Sequence, residues 1–228
     1  MLKLKLSDKT KVEIPNDWKE LRLRDWIWIV EKIHSYGLAD PISDELSEEE
    51  KSLEDARRNV EWMKCSKEIF SKLSKMPMDK VNLIHQSDIS QIINGLHWFM
   101  KEEKPAVDIP YFTLKGERYW FPSANMEHST FEDFVEASQL DVLNKNIKLG
   151  RMSVVAKQMA ILCRKEGETF DDVDKVIGKR EKLFGEITMD VVWNFFFFLT
   201  TQVDTLKKSS PIYSASLSAV TSLLKAVK

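Results

Sequence analysis

The sequence predicts an α+β fold that is predominantly α-helical, and three observations carry that expectation. Capped segments with apolar residues at helical spacing recur along the 228-residue chain and amount to about eight or nine helices. Two places alternate like strand pairs: Leu2 to Leu6 with Thr10 to Ile14 around Ser7-Asp8-Lys9, and Tyr111 to Leu114 with Arg118 to Phe121 around Lys115-Gly116-Glu117. Each hairpin is followed by a proline (Pro15, Pro122) and a short coil carrying Trp18 or Met126. A helix then opens on acidic and aromatic residues, Arg24-Asp25-Trp26 in one case and Phe131-Glu132-Asp133-Phe134 in the other. The repeated order points to a duplicated small α+β unit or to one sheet built from two distant hairpins, with chance likeness as the alternative. A lone two-stranded hairpin is marginal in water, so the two are expected to pair in one small sheet. The charged stretch Lys101 to Asp108 around Pro105 is the best boundary. It divides the chain into a hairpin-plus-helix half over 1–104 and a second over 105–228, packed as one compact unit.

The helices follow in order. Leu23, Trp26, Ile27, Val30 and Ile33 form the first stripe, and Gly37 is a stop signal. Ser47, with Glu50 three residues on, makes a capping box for a long helix. Its stripe is Ala56, Val60, Met63, Phe70 and Leu73, widened by Trp62, Cys65, Ile69 and Met76, and Pro77 ends it. A short helical piece is expected over 79–85. Ser87 then caps a helix whose stripe runs from Ile89 to Met100. In the second half, helices are expected from Phe131 to Leu143, from Met152 to Cys163, and from Asp171 to Phe184 around Gly178. Met189 to Lys207 is the most apolar segment, and its part from Met189 to Val203 reads as the central core helix. A final amphipathic helix opens at Pro211, with Ile212, Leu223 and Val227 among its apolar positions.

Composition limits function. Hydrophobic content is 43% and charged content 31%, which suits a globular soluble domain. A net charge of −2 gives no field favouring nucleic acid. Met1 to Leu6 alternates like a strand rather than forming a secretion signal. The longest apolar stretch, Val191 to Leu199, falls far short of the ~20 residues of a membrane span. Cys65 and Cys163 each lie in a helical pattern and read as buried free thiols. A cytoplasmic, non-membrane location is expected.

Chemical motifs are weak. His34, His85, His97 and His128 lack the spacing of zinc ligands. The acidic group Glu166, Glu168, Asp171, Asp172 and Asp174 lacks the register of a calcium loop and suits a helix start. Every glycine is isolated, so no phosphate cradle forms. The aromatics of the second hairpin have only Lys115 and Arg118 beside them, which favours a core-packing face over a base-stacking platform. No catalytic, metal or cofactor residue is assigned. Trp18, Trp26 and Trp28 are taken as a partly exposed aromatic patch of the kind that marks a protein contact.

The string Ile14-Pro15-Asn16-Asp17-Trp18-Lys19-Glu20-Leu21 after a hairpin resembles small morphogenesis proteins of tailed bacteriophages. So do Tyr111 to Tyr119 followed by Ser129 to Phe134, and the aromatic-rich Met189 to Leu199. The layout is similar to that of tail assembly chaperones and of virion proteins from phages of gut Bacteroidetes. The resemblance implies a non-enzymatic role: binding tape-measure, tail or other virion proteins through apolar grooves in the host cytoplasm. The contact residues would be Trp18, Trp26, Trp28, Ile212, Leu223 and Val227. Two alternatives stay open: a structural or packaged virion protein, and a cytosolic enzyme with a dispersed site. An oligomer is also left open.

Overall fold

The computed structural model describes residues 1–100, 109–122, 154–168 and 175–198, without the Met100 side chain. The chain divides into two units, one of Met1–Leu21 and Asp25–Lys101, the other of Arg22–Arg24 and Glu102–Lys228. The class is α+β and mostly helical. Seven helices have both ends inside the described residues, fewer than the eight or nine anticipated. The helices anticipated over 131–143 and from 211 onward lie outside the described residues, as do Ile212, Leu223 and Val227.

The first unit begins with β1 (Leu2–Lys5) and β2 (Lys11–Ile14), paired antiparallel with Leu2 opposite Ile14 and Leu4 opposite Val12. Alternation puts Leu4, Leu6, Val12 and Ile14 inside and the lysines and Glu13 outside. The turn closes through Lys9 at φ 70° and through Asp8, whose carboxylate accepts from Thr10 N and Oγ1 at 2.8 and 2.7 Å. The apolar face lies close against a helix at Gly95, where an added Cβ would stand 2.9 Å from Leu2 Cδ2 and 3.3 Å from Ile14 Cδ1.

Helix α1 (Leu23–Ser35) stops at Gly37, which takes φ 66°. Gly37 N donates to His34 O and Leu38 N to Ile33 O, the paired bonds of a Schellman ending. Helix α2 (Glu48–Ser74) opens with the anticipated Ser47–Glu50 capping box and ends at Lys75, in the left-handed conformation ahead of Pro77. Helix α3 (Met78–Val81) is shorter than anticipated. Helix α4 (Gln86–Leu96) starts a residue before Ser87, because His85 rather than Ser87 is its cap: the ring Nδ1 accepts from Ser87 N at 3.3 Å. A 3-10 turn over His97–Met100 takes up what the stripe presented as continued α-helix.

The second unit carries β3 (Tyr111–Leu114) and β4 (Glu117–Trp120). The two strands are joined by Lys115 and Gly116 at φ 51° and 82°, the positive pair required by a two-residue hairpin turn. Phe112, Tyr119 and Phe121 are buried. Helix α5 (Val155–Leu162) is buried at all but one of its positions, and α6 (Ile177–Phe184) packs on it. The Phe184 ring meets Phe112 and Tyr119 with centroids 5.5 and 5.0 Å apart. Helix α7, described over 189–198, buries Met189, Val192, Trp193, Phe195 and Phe196 but leaves Phe197 44% exposed. Among its described residues Phe197 alone is exposed. Residues 199–203 of the anticipated core helix lie outside the described residues.

The single sheet anticipated from the sequence does not form: the hairpins are two separate two-stranded sheets. The physical reason is local. The edge of β4 is already taken at Trp120, whose N donates to Arg164 O at 2.7 Å and whose O accepts from Arg164 N at 3.1 Å. Each hairpin buries its apolar face within its own unit, so neither needs the other's strands.

A candidate docking face on helix α2

Of the tryptophans singled out above, Trp18 is buried, while Trp26 and Trp28 keep part of their surface exposed. Trp18 is only 6% exposed. It sits edge-on to Trp26 and Trp98 with centroids 5.3 and 5.0 Å apart, and Trp26 and Trp98 each meet Phe99 at 5.9 Å. Trp98 Nε1 donates to Pro15 O at 2.8 Å. Trp26 and Trp28 are half-buried, and the Trp28 ring carries Lys32 Nζ and Lys72 Nζ at 5.5 and 5.7 Å. The cluster between β2 and α1 is therefore packing inside its unit. Periodicity could not reveal this, because Trp98 joins it from a distant part of the sequence.

Among the described residues, Leu83, Ile109 and Phe197 are exposed elsewhere, while three exposed large apolar side chains, Leu53, Val60 and Met63, fall together on α2. That helix has 27 residues, and its buried ones, Cys65, Ser66, Ile69 and Phe70, all fall in its C-terminal part. Over 48–64 every residue is exposed or half-exposed. Leu53, Ala56, Val60 and Met63 nevertheless keep the three-and-four spacing of a helical seam. Leu53 is 74% exposed, Val60 46% and Met63 45%. Toward the C-terminal end the seam opens into a groove of about 90 Å³ between α2 and α4, lined by residues including Met63, Lys67, Phe70, Ile89 and Ile93. Ser66 Oγ is buried in its floor with no hydrogen-bond partner.

A helix with so little burial needs local support, and α2 has it. The capping box satisfies its first turn. Lys51 pairs with Glu48 at 3.1 Å, Arg57 and Arg58 with Glu54 at 2.6 and 3.0 Å, and Lys64 with Glu61 at 2.8 Å. These pairs have the i,i+3 and i,i+4 spacing that supports exposed helices. The Arg57 hydrogen bonds, then those of Arg58, hold the Glu54 carboxyl down at about 2. The opposite side of the helix is tied to its unit. Arg58 Nη1 donates to Asp40 O at 2.6 Å. Glu68 accepts from Tyr36 Oη and Lys32 Nζ, both at 2.6 Å. Lys32 and then Tyr36 hold the Glu68 carboxyl below its ordinary range, and the hydrogen bond to Glu68 pushes the Tyr36 phenol up to about 12. The helix is thus anchored along one face and presents the seam on another.

Other concave regions offer less. A cleft of about 470 Å³ beside the first hairpin includes Asp8, Lys80, His85 and Asp88. Its polar groups already serve the fold. Asp88 accepts from Ser7 N and Oγ, both at 2.9 Å, Asp8 is bound by Thr10, and His85 caps α4. In the second unit Arg22, Lys115, Lys179 and Lys182 ring an open basic bowl with Glu186, to which Arg22 is bound. Glu168, from the acidic cluster, is paired with the buried Arg180, which also donates to Cys163 O at 3.3 Å. It braces α5 against α6, while Asp171, Asp172 and Asp174 lie outside the described residues. Cys65 and Cys163 are free and buried, and burial raises both thiols, Cys65 to about 11.

The sequence stripe already contains Ala56, Val60 and Met63 together with the buried Phe70 and does not tell the exposed part from the buried part. The distinguishing signal was the flank. In 48–64 charged residues crowd both sides of a seam one residue wide, whereas a core helix shows a broader apolar face. No protein-family model, curated protein or solved structure matches this chain.

Proposed function

We propose that the chain is a non-enzymatic bacteriophage assembly protein of the tail-chaperone kind, working by contact with other phage proteins, and that the outer face of α2 is its docking surface for a partner α-helix. The observation that carries this reading is the seam itself: Leu53, Val60 and Met63 stand 45–74% exposed on a helix held rigid by its own caps and ion pairs. An amphipathic helix laid along such a seam is a standard mode of recognition, and it suits a protein that shields apolar helices of another chain. The resemblance of the hairpin and aromatic strings to phage morphogenesis proteins supplies the biological setting. Val60→Glu tests the reading, because Val60 lies outside the core. Co-expressed with the tape-measure and tail proteins of its phage, the wild-type chain co-purifies with one of them and Val60→Glu does not. Equal co-purification of both, or turnover of a substrate by the purified chain, would overturn it. Mass spectrometry of washed particles separates a chaperone, absent from them, from a virion component, present in them.

A further inference from the structure

The charges beside the α2 seam are arranged with a polarity. Glu48, Glu49 and Glu50 open the helix, while Lys67 borders the groove at the other end of the seam. Laid antiparallel on a second α2 about a two-fold axis near residue 58, Ala56 falls opposite Val60 and Leu53 opposite Met63. Glu49 then faces Lys67. Every apolar position of the seam meets an apolar position, and each acidic end meets a basic end. The fit also holds in relief. Leu53, at 74% exposed the most exposed of the seam's large side chains, is a knob, and the groove bounded by Met63, Lys67, Ile89 and Ile93 lies where the second copy's Leu53 arrives. Arg57 would lie near its own symmetry mate, but it is bound bidentately to Glu54 of its own helix at 2.7 and 2.6 Å, which blunts that repulsion. Such a pairing is isologous, with each copy giving the knob and taking the other's.

We infer that the first occupant of this face is a second copy of the same chain, paired antiparallel through α2, with Leu53 of each copy in the α2–α4 groove of the other. This rests on the proposed reading of the seam as a helix-docking surface and names the helix. The contact from Glu49 to Lys67 runs ~27 Å at 1.5 Å per residue. A contact along one helix is small for a permanent interface, so a competing apolar helix can displace the second copy.

The test is sedimentation equilibrium of the full chain over a range of concentrations. The wild type is expected to rise from the monomer mass of 26.6 kDa toward twice that value. Leu53→Glu is expected to remain monomeric throughout with an unchanged helical spectrum and melting temperature. Glu49→Lys and Lys67→Glu singly should each weaken dimerisation by roughly fivefold, since each breaks two symmetry-related surface pairs. Combined in one chain they should restore it. A monomeric wild type, a Leu53→Glu variant that dimerises normally, or a double charge swap that fails to recover would each overturn the inference. A synthetic amphipathic helix with a leucine stripe separates the two levels of the argument. If the wild type stays monomeric yet binds this peptide and Leu53→Glu does not, self-pairing is wrong and the docking face stands. If neither chain binds it, both fail.

Discussion

Phe196 and Phe197 are neighbours on α7 with opposite environments, so truncating each in turn gives an internally controlled test of the second unit's core. Phe196 is 4% exposed and its ring meets Trp193 and Phe195 at 5.7 and 5.9 Å, whereas Phe197 is 44% exposed. Removing a buried phenylalanine ring loses its transfer energy and leaves a cavity, together about 3–5 kcal/mol. For Phe197 about half the ring's burial is lost and no closed cavity results. With about 3 kcal/mol for a fully buried side chain, the cost of Phe197→Ala is about 1.5 kcal/mol. A gap of at least ~1.5 kcal/mol, some tenfold in the unfolding equilibrium, is expected between two alanine substitutions one residue apart. Urea denaturation followed by tryptophan fluorescence would report it as a lower midpoint for Phe196→Ala at an unchanged slope. Equal costs, or a larger one for Phe197→Ala, would mean that α7 presents a different face and that the aromatic core is misassigned.

Other consequences are simpler to check. Gly95→Val should destabilise the first unit by about 1–3 kcal/mol, because its side chain would drive into Leu2 and Ile14; a thermal melt reads this. Ser47→Ala removes half of the capping box and should cost α2 about 1 kcal/mol locally, seen as faster amide exchange in its first turns. The Tyr36 phenol titrates near 12 because neutral Tyr36 donates to Glu68. Since its folded pKa is raised, this contribution to stability is fully present below about pH 10 and is lost as the pH rises toward about 12. Ultraviolet titration should show one late-ionising tyrosine that disappears in Tyr36→Phe. Neither cysteine should react with a thiol reagent under native conditions, and both should react in denaturant.

Much of the local structure was legible because its causes are local. The capping box at Ser47, the glycine stop at Gly37, the alternation of the first hairpin and the positive-φ demand at Lys115–Gly116 each depend on a few adjacent residues. The pairing of the hairpins was not legible, because a strand edge can be taken by any passing backbone, and at Trp120 it was taken by Arg164. The tryptophans misled for a similar reason. Among them only Trp18 is buried: a large apolar ring on a short coil looks exposed until its partner, here Trp98 some eighty residues away, is known. The α2 face was half legible. Its seam could be read from spacing, but whether a seam faces core or solvent depends on what else the fold brings there, which only the burial along 48–64 discloses.

The central claim, that the outer face of α2 is a contact surface paired with a second copy of the chain, is tested most directly by amide hydrogen exchange of the full chain at low and high protein concentration. The account predicts that peptides covering 48–64 gain protection on concentration, that peptides from β1 and β2 do not change, and that Leu53→Glu abolishes the gain. Exchange over 48–64 that is the same at both concentrations and the same in Leu53→Glu would contradict it.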